Sequence, residues 1–83
     1  MKSFKLKIIT PEGKIFENPV TKLFLRGASG DLAVMTDHIP FVTTIKPCEC
    51  RIDMEDGKHK SFELTGGILS VLKDKAVVMT YDI

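Results

Sequence analysis

Three groups of residues in this chain have types and spacings that could do chemistry. Asp37 and His38 stand side by side, the residue types from which an imidazole base oriented by a carboxylate is built. Neighbours on an extended loop point apart, however, and no Ser or Cys is identifiably paired with them as a nucleophile. A loop-capping hydrogen bond is the plainer role for His38. Cys48 and Cys50 fall on one face of a strand, roughly 7 Å apart along the backbone, a spacing that does not suit a mutual disulfide. A metal centre would need further ligands, and the chain offers only His38 and His59. The cysteines therefore read as buried or half-buried packing thiols of a reducing compartment. Gly66-Gly67 has the composition of a phosphate-cradling loop, but no helix start and no P-loop Lys follow, so it reads as a bulge or tight bend. The residues specify no catalytic group, no metal and no cofactor.

Recognition is better supported than catalysis. Residues 30–47 run loop, strand, loop, strand, with a polar turn, a short apolar strand, the exposed Asp37-His38 pair and a rigid Pro40. Loops held by a stiff scaffold carry binding. The net charge is +1, from twelve basic and eleven acidic residues scattered along the chain, which excludes nucleic acid or an acidic membrane as the main partner. The N-terminus alternates Phe4, Leu6 and Ile8 with Lys5 and Lys7, the pattern of a strand, and gives neither a signal peptide nor a spanning helix. A cytoplasmic protein without membrane insertion is expected.

The elements that must position these residues are strands. Period-two alternation recurs between turn signals, and no stretch carries apolar residues at helical spacing over three turns. The turns are Thr10-Pro11-Glu12-Gly13, Gly27-Ala28-Ser29-Gly30, Lys46-Pro47, Glu55-Asp56-Gly57-Lys58, Gly66-Gly67 and Lys73-Asp74-Lys75. Between them lie eight to ten short strands. A return strand begins at residues 14–16, and a separate one spans 20–26 with Thr21, Leu23 and Leu25 facing one way. Residues 41–45 are β-branched enough to be buried on at least one side. Many short amphipathic strands bury their apolar faces most simply by stacking, which predicts an all-β fold over residues 1–83, a flattened two-sheet sandwich or barrel without significant helix.

The order of the motifs adds what the pattern lacks. Phe-x-Leu-x-Ile-x-Thr-Pro-Glu at residues 4–12, Gly30-Asp31-Leu32, His38-Ile39-Pro40, Thr43, Ile45-Lys46-Pro47, Arg51-Ile52, and Gly66-Gly67-Ile68-Leu69 with Val71 together resemble the N-terminal β-sandwich domain of the epsilon subunit of rotary F-type ATP synthases. The resemblance runs nearly end to end. It implies a non-catalytic rotor part of the F1Fo complex, held peripherally at the cytoplasmic face of a bacterial inner membrane. It also implies binding to the gamma subunit and to polar loops of the c-ring, coupling ion-driven rotation to ATP synthesis. By that resemblance Gly30, Asp31, His38, Pro40 and Thr43 belong to the partner-binding segment, with Asp31 and His38 the first choices for ring contact; Asp31 as an ordinary turn residue stays open. The gamma-facing surface is expected to be an apolar patch on one sheet, but the sequence does not say which.

Two departures qualify the resemblance. Cys48 stands where the family usually has Gly, so the turn after Lys46-Pro47 must do without a free positive φ. The pair of C-terminal helices of longer members is missing, and with it the inhibitory and nucleotide-sensing behaviour; at 83 residues a short form is expected. From another class, Lys73-Asp74-Lys75-Ala76 looks like the modified-lysine turn of a biotinyl or lipoyl carrier domain, although Lys75 lies far from mid-chain. A generic β-sandwich adaptor is a further alternative.

Overall fold

Alternating burial builds the strands. In the computed structural model, which describes residues 3–36 and 39–81, Phe4, Leu6 and Ile8 are buried and Lys5 is exposed. Eight strands follow in order: β1 (Phe4–Thr10), β2 (Gly13–Gly27), β3 (Gly30–Met35), β4 (Phe41–Ile45), β5 (Cys48–Met54), β6 (His59–Leu64), β7 (Gly67–Leu72) and β8 (Lys75–Thr80). No helix occurs among the described residues. Hydrogen bonding runs β1-β8-β7-β4-β2-β5-β6, with β3 on β2, and β1 also pairs β2 so that the ring closes. One layer is β4, β7, β8, β1 and the first half of β2; the other is β3, the second half of β2, β5 and β6. They meet over a core that includes Leu6, Ile8, Val20, Leu23, Ile52, Leu69 and Val78, all wholly buried, and Phe16 meets Phe62 across the layers edge-on at 5.9 Å.

The two strands expected at residues 14–16 and 20–26 are one. β2 is 15 residues long and pairs β1 as far as Val20, then β5 and β3 beyond it. A bulge between Val20 and Lys22 shifts the alternation by one residue. Phe16 and Val20 point inward before it, Leu23 and Leu25 after it. Thr21 falls at the slip, half-buried, where its Oγ1 donates to the Asp53 carbonyl at 3.2 Å. An extra residue of this kind is how a strand turns a corner.

The expectation that residues 41–45 are buried on one side holds only for their end. On the side that carries buried Ile45, Thr43 is half-buried and Phe41 38% exposed, while Val42 and Thr44 belong to the outer side. β4 pairs β7 along its length yet meets β2 only at Gly27 and Ile45, so its start lies at the sheet margin. Cys48 opens β5 as an ordinary strand residue opposite Leu64, and the turn before it needs no glycine. Gly66-Gly67 is the tight bend expected. Gly67 has φ +147, and a Cβ there would run into the Met79 carbonyl oxygen, while the Thr80 hydroxyl donates to the Gly66 carbonyl at 2.7 Å.

Both cysteines are free thiols. Cys50 is wholly buried, and burial, helped by the nearby Cys48, pushes its thiol up from 9.0 to about 12. Below the unfolded value both states hold the proton; above it the unfolded chain releases it first, so stability falls as pH rises from about 9 to about 12.

Two outcomes follow. In urea unfolding Gly67→Ala costs about 3 kcal/mol or more, because strain and collision combine, whereas Gly13→Ala, with positive φ but open space around it, costs about 1–2 kcal/mol. In a pH series Cys50→Ala starts about 1–2 kcal/mol less stable but loses less stability than the native chain above pH 9; equal alkaline losses would contradict the assignment.

Candidate partner-binding surfaces

The turn between β2 and β3 gathers several of the residues expected to bind. Gly27 and Gly30 face each other as the closing pair. Gly30 takes φ +122, and Gly27 is needed for space, since a Cβ there would stand 2.6 Å from Leu32 Cδ2 and 3.3 Å from Thr43 Oγ1. Thr43 Oγ1 accepts from the Ala28 N–H at 3.3 Å and donates to the Thr44 carbonyl at 3.2 Å, tying β4 to the turn. Gly30, Asp31 and Thr43 thus come together. Pro40 is exposed, about 10 Å along the chain from Thr43 at strand spacing. Asp37 and His38 lie outside the described residues.

Asp31 is not a bare carboxylate. It sits opposite Arg26 in register, and Arg26 Nε donates to Asp31 Oδ1 at 2.9 Å. That hydrogen bond and charge raise the Arg26 guanidinium above its ordinary value. Both side chains are more than half exposed, so water competes for both and the pair contributes little to stability. Sequence reasoning missed Arg26; the signal was a cation and an acid placed symmetrically about a Gly-x-x-Gly turn.

The two outer faces differ sharply. On the layer built from β4, β7, β8 and β1, strand register aligns Ile9, Met79, Ile68 and Thr44 in one row and Lys7, Val77, Ser70 and Val42 in the next. Ile68 and Met79 are each 43% exposed. With Pro11 and Tyr81 they line a shallow depression. Contiguous outward apolar residues of this kind are uncommon on a surface that nothing covers. The opposite face aligns Asp31 with Arg26, Phe24 with Arg51, and Lys22 with Asp53 and His59. Its charged pairs are interspersed with Phe24, Ala33 and Met35, and Arg51 stands 5.8 Å over the Phe24 ring.

On that charged face Asp53 Oδ1 lies 3.3 Å from Arg51 Nε and 2.9 Å from His59 Nδ1. Desolvation pushes the Asp53 carboxyl up, but the His59 hydrogen bond and the Arg51 charge outweigh it and hold it below the usual 3.8. No group of His, Cys, Asp and Glu among the described residues could hold a metal ion, and no helix there is long and apolar enough to cross a membrane.

A small closed sandwich with one apolar and one charged face belongs to the class of domains that act through their surfaces. The family described as ATP synthase, Delta/Epsilon chain, beta-sandwich domain matches residues 3–83, and the chain belongs to it. It is 33% identical over 82 residues to the ATP synthase epsilon chain of Chlorobium limicola, covering 99% of this chain and 93% of that one. It is 33% identical over 79 residues to the sodium ion specific epsilon chain of Propionigenium modestum, covering 95% of this chain but 57% of the relative. Among solved structures, a chain of the Euglena gracilis mitochondrial ATP synthase shares the fold with a TM-score of 0.90 at 21% identity, over 96% of this chain and 51% of that one. The carrier-domain and generic-adaptor alternatives are set aside by the family match.

The Asp53 cluster sets an acid limit. An acid whose folded pKa is lowered contributes stability that is fully present above its unfolded value and is lost as pH falls through the folded one. Unfolding midpoints measured from pH 6 down to about 2 should therefore fall less steeply for Asp53→Asn than for the native chain below the ordinary 3.8; parallel curves would remove Asp53 from the acid response.

Proposed function

We propose that this chain is a central-stalk rotor component of an F1Fo ATP synthase. It docks on the gamma subunit through the outer face of β4, β7, β8 and β1, and on the polar loops of the c-ring through the end that carries Gly30, Asp31 and Thr43, with Pro40 and His38 assigned to that contact by the family resemblance alone. The observation that carries this reading is the register of Ile9, Met79 and Ile68 across three neighbouring strands, with Val77 and Val42 beside them. A rotor domain must turn with its shaft, and a broad apolar contact on a stiff sheet holds orientation better than a flexible loop. An interface stable enough for that buries about 1,000 Å² or more, which one sheet face can supply.

Ring contact is of another kind. Asp31 has Oδ1 engaged by Arg26, and a carboxylate can accept further hydrogen bonds, so the pair can meet a polar loop without being broken. Such wet, polar contacts slide and reform at modest cost. The chain transmits torque and performs no chemistry of its own, and it sits peripherally at the cytoplasmic face of a bacterial inner membrane.

Charges placed inside an apolar contact are costly. Ile68→Asp combined with Met79→Asp should weaken binding to the gamma subunit about 100-fold or more while leaving the melting temperature within a few degrees. Asp31→Ala with His38→Ala should keep gamma binding and reduce co-sedimentation with c-ring membranes. Wild-type gamma affinity in the Ile68/Met79 variant would overturn the assignment of the face.

A further inference from the structure

Lysines that are scattered in the sequence converge in the fold. Lys5 stands beside Lys75 in the parallel β1 and β8 pair, and Lys7 lies opposite Glu17 and beside Val77. Lys14 lies opposite Ile9, at the end of the row that continues through Met79 and Ile68. Glu17 sits among them. Lys14 binds its Oε1 and Lys5 Nζ lies 3.9 Å from its Oε2; the Lys14 hydrogen bond, with added pull from Lys5 and Lys7, holds the carboxyl below its ordinary value. Four lysines and one glutamate leave this corner at about +3, in a chain whose whole net charge is +1. The positive charge is thus concentrated along one margin of the apolar face.

We infer that the partner covering this face presents an apolar patch bordered by carboxylates, and that Lys5, Lys7, Lys14 and Lys75 meet those carboxylates at the rim, fixing the rotational register of the contact. The inference rests on the proposed docking of this face on the gamma subunit. An apolar patch alone tolerates several angular positions, whereas a charged margin on one side of it favours one. Rim charges of this kind act mainly on the association rate and its salt dependence.

An anionic lipid surface is the weaker occupant. Phosphates spread over a flat surface cannot avoid Glu17, which lies inside the cluster, whereas carboxylates on a protein can stand opposite the lysines alone. The remainder of the chain carries more acid than base, eight cations against ten anions, and would be repelled as well.

The test compares binding of the 83-residue chain to the gamma subunit of its own complex at about 50 and about 500 mM NaCl, where screening of exposed charges differs strongly. The variants are Lys5→Gln/Lys7→Gln/Lys75→Gln and the matching triple Arg substitution. The native chain should bind about tenfold or more tightly at low salt, the Gln variant should lose that advantage and most of the salt dependence, and the Arg variant should retain both. Gamma binding that is equal for the native and Gln chains, with the same salt slope, would overturn the rim assignment and leave the docking face standing. No gamma binding by the native chain at either salt would overturn the docking proposal and this inference with it. Lysine-dependent binding to vesicles of about one third phosphatidylglycerol, with gamma binding indifferent to the lysines, would assign the corner to lipid and contradict the inference.

Discussion

The strand shared between layers is the constraint on which the rest of this fold depends. Val20 pairs Phe4 of β1 and Met54 of β5 at once, so β2 leaves one layer and enters the other at that point. The bulge next to it turns the inward side from even to odd positions. Without that slip, Leu23 and Leu25 would face solvent while Lys22 and Arg26 faced the core, since a one-residue shift exchanges the two faces of a strand. Closure follows from the same strand, because the first half of β2 completes the ring with β1 and the far end touches β4 through Gly27 and Ile45. A closed ring has few free edges, which suits a small domain that must not pair with other chains.

Separation of the two outer faces is a consequence of this arrangement. Each strand gives one side to the core, and the other sides add up layer by layer. On β1, β7, β8 and β4 they add up to an apolar surface with lysines at one margin. On β3, β5, β6 and the second half of β2 they add up to ion pairs and hydrogen bonds among Arg26, Asp31, Arg51, Asp53 and His59. The β2 to β3 turn lies at the end of that charged layer and is hydrogen-bonded to β4 through Thr43.

Much of the fold was legible from local signals. Thr10-Pro11-Glu12-Gly13, Asp56-Gly57 and Gly66-Gly67 each mark a turn where the chain turns, and Gly13, Gly57, Gly66 and Gly67 all take positive φ. Buried Cys50 and half-buried Cys48 agree with their reading as packing residues. The continuity of β2 was not legible, because a bulge leaves no composition signal and Asn18-Pro19 imitates a break. The partial exposure of Phe41 was hidden for a related reason: β-branched composition reports strand formation and not which neighbours a strand finds. Gly30, Asp31 and Thr43 meet at the β2 to β3 turn through cross-strand contacts, and the pairing of Asp31 with Arg26 likewise depends on register. The apolar face and its lysine margin are likewise properties of register between β1, β7 and β8, residues far apart in the chain.

On the proposed reading this sandwich meets the gamma subunit with the face of β4, β7, β8 and β1. Side-chain methyl spectra of the isotopically labelled chain, recorded with and without the purified gamma subunit, test it directly. The methyl signals of Ile9, Ile68, Val77 and Met79 should shift or broaden on binding, while those of Ala33 and Met35 on the opposite layer stay in place. Perturbation of Ala33 and Met35 with Ile68 and Met79 unchanged would contradict it.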